Sequence, residues 1–123
     1  MVESAFPIIS TPSLERALAF WRDALGGVVN YRFPGDGAAQ FVALDLGRSQ
    51  LGLGLVEGTS PSAAGGPISI WCYVADCDAV TDRVRAAGFS VVEEPADQPW
   101  GERIARVLDA DANMVILGDE RRS

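Results

Sequence analysis

At 123 residues, 48% hydrophobic and 22% charged, the chain suits one compact domain large enough to bury a core. Its 17 acidic residues outweigh 10 arginines, giving a formal charge of -7 that disfavours nucleic acid and anionic membranes, both of which reward positive surface. Histidine is absent, which removes the commonest metal ligand and the commonest general base together.

Taken in order, Ala5 to Ser10 predicts a short strand, with Pro7 marking an edge or a bulge. Thr11-Pro12-Ser13 opens a helix, Thr11 or Ser13 serving as its cap and Glu15 lying in its first turn. Leu14, Leu18, Trp21 and Leu25 recur at helical spacing and form one apolar face, which makes Trp21 a core residue rather than a ligand contact. Gly26-Gly27 ends the helix. Strands follow at Val28 to Phe33, Phe41 to Leu46 and Gln50 to Val56, separated by the turns Pro34-Gly35-Asp36-Gly37 and Gly47-Arg48-Ser49. In the last of these, Leu51, Leu53 and Leu55 share one face, while Gln50, Gly52 and Gly54 leave space on the other. That space suits close approach by a ligand or a backbone; a strained bend explains it equally well.

Glu57 to Pro67 is rich in Gly, Ser, Ala and Pro and reads as a linker. The pattern then starts again. Ile68 to Val74 is a strand, Asp76 or Asp78 caps a helix with Val80, Val84 and Ala87 on one face, and Gly88 stops it. Phe89 to Glu93 is the next strand, and the chain closes with a hairpin: Ile104 to Leu108 and Met114 to Leu117, around the turn formers Asp109, Asp111 and Asn113. Each half reads βαβββ. A slide of 63 residues places Phe6 on Ser69 and Ser13 on Asp76, and a slide of 62 places Phe41 on Arg103 and Gly54 on Ile116. The expected architecture is α+β, a single domain over 1–123 built from modules at about 1–57 and 68–123 joined by a linker at 58–67.

Trp100-Gly101-x-Arg103, followed after five residues by Asp109-x-Asp111-x-Asn113 and the apolar run Met114 to Leu117, resembles the closing hairpin of the vicinal oxygen chelate superfamily. Glyoxalases, extradiol dioxygenases and bleomycin-resistance proteins belong to it. Ala110 and Ala112 stand where the usual form has Pro and Gly, and Val74-x-Asp76-x-Asp78-Ala79 at the second helix start adds to the likeness. The resemblance implies two curved sheets around a shared cavity, helices outside, and a homodimer. It also implies that metal-binding members place ligands in the first and last strands of each module. Here those positions are Phe6, Gly54, Ser69 and Ile116, which offer a single hydroxyl between them, whereas a divalent cation wants imidazole or carboxylate. The chain is therefore expected to follow the metal-free bleomycin-resistance branch, with no metal, no cofactor and no catalytic residue.

Alternation from Ile68 to Val74 turns Ile68, Ile70, Cys72 and Val74 toward the helix and leaves Ser69, Trp71 and Tyr73 on the face that, by family geometry, lines the cavity. Met114 and Ile116 share that face, Phe6 and Ile8 project likewise from the first strand, and Trp100 is placed to close the mouth. The candidate ligand contacts are thus Phe6, Gly54, Ser69, Trp71, Tyr73, Trp100, Met114 and Ile116. Arg103 and Arg106 fall on opposite faces of their strand, and the pattern leaves open which of them turns inward. Glu93, Glu94 and Glu102 read as surface carboxylates. Cys72 reads as a small core residue and Cys77 as part of the following turn, with neither a disulfide nor a zinc site expected.

The expected function is sequestration of an aromatic or cationic, antibiotic-like compound without turnover. A glyoxalase- or dioxygenase-like lyase or isomerase is the alternative, and an accessory domain with a filled cavity is a third reading. A small-molecule ligand and a second copy of the chain are the expected partners, with neither nucleic acid nor membrane. The apolar runs fall short of the roughly 18 residues that span a bilayer. The start, Met1-Val2-Glu3-Ser4, lacks the features of a signal peptide, so a cytoplasmic location is expected.

Overall fold

A computed structural model describes residues 1–57 and 68–120 of the chain, so the segment read as a linker lies outside the described residues. Two compact units flank that segment. Each is a βαβββ module with its own four-stranded mixed sheet, the α+β architecture that the repeat predicts, and among the described residues neither sheet closes into a barrel. No described helix is long and apolar enough to cross a membrane.

In the first unit β1 (Ile8–Thr11) is followed by helix α1 (Leu14–Leu18, continued by a wide π-helical turn over Ala19–Ala24), then β2 (Val28–Phe33), β3 (Phe41–Leu46) and β4 (Ser49–Leu55). The sheet order is β1-β4-β3-β2, with β1 parallel to β4 and the other neighbours antiparallel. β1 begins at Ile8 rather than Ala5. Pro7 has no N–H to give to the ladder, although its carbonyl still accepts from the Gly52 amide at 2.9 Å. Of the two possible caps, Ser13 is the one used: its Oγ accepts from the Arg16 amide at 3.2 Å. Thr11 is buried instead, its hydroxyl donating to the Ser13 carbonyl.

The apolar stripe of α1 differs from the expected one, and the wide turn is the reason. The Leu25 amide donates to the Phe20 carbonyl, five residues back, which shifts the helical phase. Phe20 and Trp21, neighbours in sequence, are consequently both fully buried, packed edge to face at 4.9 Å between ring centres. Ala17 and Ala24 are buried with them, while Leu14, Leu18 and Leu25 remain half-buried. Gly26, at φ 81°, takes the left-handed conformation that ends the helix. From the sheet, Val42, Leu44, Leu51 and Leu53 complete this core; each fully buried aliphatic side chain contributes about 1.5–3 kcal/mol.

The second unit runs β5 (Ser69–Tyr73), α2 (Cys77–Ala86), β6 (Val91–Asp97), β7 (Arg103–Leu108) and β8 (Met114–Asp119), with sheet order β5-β8-β7-β6 and β5 parallel to β8. Asp76 caps α2, its Oδ1 accepting from the Ala79 amide at 3.1 Å. Cys77, Thr81 and Val84 form the buried stripe of α2, and Ala105, Val107, Val115 and Leu117 are the buried residues of the sheet face that it covers. Val80 is half-buried and Ala87 exposed, so the face expected from Val80, Val84 and Ala87 is rotated toward Cys77. The cysteines exchange their expected roles as well. Cys77 is the first residue of α2 and fully buried, Cys72 only partly so, and both are free thiols.

β6 extends to Asp97, beyond the expected Glu93, because an edge strand tolerates Pro95 and the two register shifts flanking Glu93. The closing hairpin is held by buried Asp109, whose Oδ1 accepts from the amides of Asp111 at 2.9 Å and Asn113 at 2.8 Å.

Candidate functional site

Strand alternation decides which residues share the face of the second sheet turned away from α2. β5 and β8 pair Ser69 with Met114, Trp71 with Ile116 and Tyr73 with Gly118; β7 adds Ile104 opposite Gly118, Arg106 opposite Ile116 and Leu108 opposite Met114. On this open face Trp71 is 40% exposed and Tyr73 61%, with ring centres 5.8 Å apart. A Cβ built on Gly118 would lie 2.6 Å from Trp71 Nε1 and 2.8 Å from both Cε2 and Cζ2. The Nε1–Cε2–Cζ2 edge of the indole therefore sits close against the β8 backbone at Gly118, where a side chain would otherwise stand.

Trp100 reaches the same region through a tight turn. The Gly101 amide donates to the Gln98 carbonyl at 3.0 Å, and Gly101 adopts φ 103°, which favours glycine. Trp100 Nε1 donates to Glu102 Oε1 at 2.6 Å. The neighbouring Glu102 carboxylate holds the Tyr73 phenol above its ordinary range, with burial and the charge of Glu120 acting the same way. The structure therefore joins Trp71, Tyr73 and Trp100 into one array, with Glu102 as the carboxylate between two of them. The sequence reads Glu102, like Glu93 and Glu94, as a surface carboxylate, and its half-burial and its bond to Trp100 distinguish it from the other two. Its signal is its place across Gly101 from Trp100.

The remaining candidates of this unit lie further along the same face. Ser69 is exposed at the start of β5, Met114 half-buried opposite it, and Ile116 buried beneath the row. The two arginines are now distinguished. Arg103 is on the helix side, its Nε and Nη2 each 3.0 Å from the Asp78 carboxylate and its Nη1 3.1 Å from Asp97. Arg106 is on the open face, paired with Glu93 across β6 and β7. Glu94 is paired with Arg85. Burial pushes the Cys72 thiol up to about 11 and raises Cys77 above its ordinary value too, so both sites favour the protonated thiol.

In the first unit the open face carries Ile8, Ser10, Tyr31, Phe33, Phe41, Ala43, Gly52 and Gly54, fixed by the pairs Phe33 with Phe41, Tyr31 with Ala43, Phe41 with Gly54 and Ile8 with Gly52. Phe6 precedes β1 and is 47% exposed. Tyr31, Phe33 and Phe41 were not expected here. A register shift between Val29 and Tyr31 breaks the simple alternation of β2, so its sequence alone does not show which side they take.

The ladders also correct one alignment. Trp71 and Ile8 each stand five residues before the helix caps Asp76 and Ser13, so the pair Trp71–Ile116 corresponds to Ile8–Gly52. Gly52, rather than Gly54, is the counterpart of Ile116, and Gly54 is the counterpart of Gly118. With either glycine the donor set is one serine hydroxyl among Phe, Gly and Ile, which does not fit a divalent cation. Among the described residues no group of three or more His, Cys, Asp or Glu side chains is arranged to hold a metal.

Comparison with known proteins agrees with this frame. A family model described as the Glyoxalase/Bleomycin resistance protein/Dioxygenase superfamily matches residues 5–117. A superfamily member from Sphaerobacter thermophilus is similar in structure, with a TM-score of 0.74, 25% identity and 98% of each chain covered. TioX from Micromonospora sp. ML1 is similar with a TM-score of 0.76, 20% identity and 98% of each chain covered. The fosfomycin resistance protein FosX from Mesorhizobium loti has a TM-score of 0.71 at 18% identity, covering 95% of this chain and 91% of its own. A search of curated proteins found no match.

Proposed function

Because the chain belongs to the glyoxalase/bleomycin resistance protein/dioxygenase superfamily, we propose that it is a metal-free member that binds and sequesters an aromatic or cationic, antibiotic-like small molecule without turnover. The observation that carries this reading is the seating of Trp71 across Gly118, beside Tyr73, on a face whose metal-ligand positions hold Ser69 and Ile116. An indole held against backbone and still 40% exposed is a stacking platform, and an aromatic pair adds about 0.5–1.5 kcal/mol beyond the area it buries. The Tyr73 hydroxyl and the remaining acceptor positions of Glu102, which holds the Trp100 N–H, orient what stacks there. FosX shares the fold and is a fosfomycin resistance protein, which makes antibiotics a reasonable first ligand class to try.

The test is titration of intrinsic Trp fluorescence with bleomycin and with planar aromatic antibiotics, for the native chain and Trp71→Ala. Saturable quenching, weakened about tenfold or more by the substitution, with the compound recovered chemically unchanged, is the expected result. Conversion of the compound by protein carrying a stoichiometric divalent metal would replace sequestration with enzymatic turnover. The homodimer belongs to the same proposal. Ile8, Tyr31 and Phe33 are 58%, 53% and 56% exposed, more apolar surface than a single copy readily leaves open. Light scattering should then give twice the 13.1 kDa of one chain.

A further inference from the structure

The charged group in the aromatic array has a chemical consequence. Glu102 is half-buried between two rings, Trp100 at 60% exposure and Tyr73 at 61%. Trp100 turns its ring N–H toward this carboxylate, and Tyr73 lies across Gly118 from Ile104, two residues beyond Glu102; a carboxylate has about four lone-pair positions, so acceptor capacity remains. The arginines closest in sequence are committed elsewhere: Arg103 to Asp78 and Asp97 on the helix side, Arg106 to Glu93. Among the described residues no ion pair joins an arginine to Glu102. Glu120, just beyond β8, adds a second negative charge near the Tyr73 hydroxyl.

We propose that Tyr73, Trp100 and Glu102 form a subsite for the charged head of a small organic cation, an alkylammonium or similar group, whose planar remainder lies on Trp71. The inference rests on the small-molecule-binding reading and names the chemistry of the ligand. The rings present negative π faces to a cation, and the carboxylate supplies the opposite charge. A neutral or anionic ligand covering the same place would strip water from Glu102 and return no countercharge, a penalty the cation avoids. Selectivity therefore comes from Glu102, while the apolar area of the three rings serves any flat ligand.

Calorimetric titration with two matched probes tests this: naphthylmethyl-trimethylammonium and the uncharged naphthylmethanol. The native chain is expected to bind the cation about tenfold more tightly than the alcohol. Glu102→Gln keeps the size of the side chain and an acceptor for Trp100, so it should bring the two affinities within about twofold, the cation losing its countercharge and the alcohol no longer stripping water from a carboxylate. Glu94→Gln removes one charge from a carboxylate paired with Arg85 and should leave the preference intact. Equal losses in the two variants would reduce the effect to the overall field of the acidic chain and overturn the subsite. Equal binding of both probes by the native chain would also overturn it, with the binding reading still standing. Binding of neither probe by folded protein would remove both.

Discussion

The indole of Trp71 occupies the place where a side chain on Gly118 would be. The distance from a Gly118 Cβ to Trp71 Nε1 would be 2.6 Å, closer than real Cβ contacts come. Gly118→Ala must therefore lift the ring off β8 into water or push the strand aside, at a cost of about 1–3 kcal/mol. The expected signs are a red-shifted Trp emission, a weakened near-ultraviolet dichroism and a lower urea midpoint. The cost should shrink in a Trp71→Ala background, because the two residues share one contact. An unchanged penalty in that background would place the strain elsewhere.

The first unit uses glycine in a similar way at one position and not at the next. A Cβ on Gly52 would be 2.9 Å from Phe41 Cζ and 3.0 Å from Ile8 Cγ1, whereas on Gly54 the nearest atoms are 3.8 and 3.9 Å away. Gly52→Ala is expected to lower stability by about 1–2 kcal/mol. Gly54→Ala meets only ordinary contact and restricts the unfolded chain, so it should be neutral or stabilising by up to about 1 kcal/mol. Paired denaturant curves decide it. Equal effects would mean that β4 shifts to absorb either methyl.

These glycines also show what the sequence pattern discloses. Alternation through β4 and β5 is visible in one strand at a time, so Leu51 and Leu53 in the core and Trp71 and Tyr73 on the open face were legible. What depends on register between strands was not. The slide of 62 residues aligns Gly54 with Ile116, and only the ladder moves that to Gly52. The same limit hid the sides taken by Arg103 and Arg106, and by Tyr31 and Phe33 beyond the shift in β2. The α1 stripe failed for a different reason. A helical period presumes a regular helix, and the wide turn over Ala19–Ala24 is not one. The Trp100–Glu102 bond is not legible because a carboxylate's partners in a turn have no period at all.

Ala112 is a position where the chain departs from what its backbone asks for. It has φ 65° at the corner of the closing hairpin, a conformation that costs a side-chain-bearing residue about 1–2 kcal/mol. Its amide donates to the Asp109 carbonyl at 3.2 Å, so the geometry is held by the turn itself. Ala112→Gly relieves the strain but frees the unfolded chain, leaving an expected net gain of about 0.5–1 kcal/mol. Thermal unfolding measures it. A loss of stability would show that the methyl group contributes more through packing than the backbone loses through strain.

Cys72 sets a pH dependence on the alkaline side. Burial pushes its thiol up to about 11, above the ordinary 9.0, so the fold favours the protonated form. Below pH 9.0 the folded and unfolded chains both keep the proton, and the contribution is fully present. As the pH rises the unfolded chain releases its proton first, and stability is lost progressively until the folded thiol also titrates near 11. Because Cys72 is only partly buried, the loss at stake is no more than about 2 kcal/mol. Tyr73 and Cys77 are raised as well and act in the same direction, so the native chain alone does not isolate Cys72. The comparison with Cys72→Ala does. Urea stability of the native chain should fall more steeply from pH 9.0 to 11 than that of the variant, and a thiol reagent at lower pH should label the folded native chain slowly. Parallel stability curves, or rapid labelling of Cys72 in the folded chain, would show that its thiol titrates as if solvent reached it.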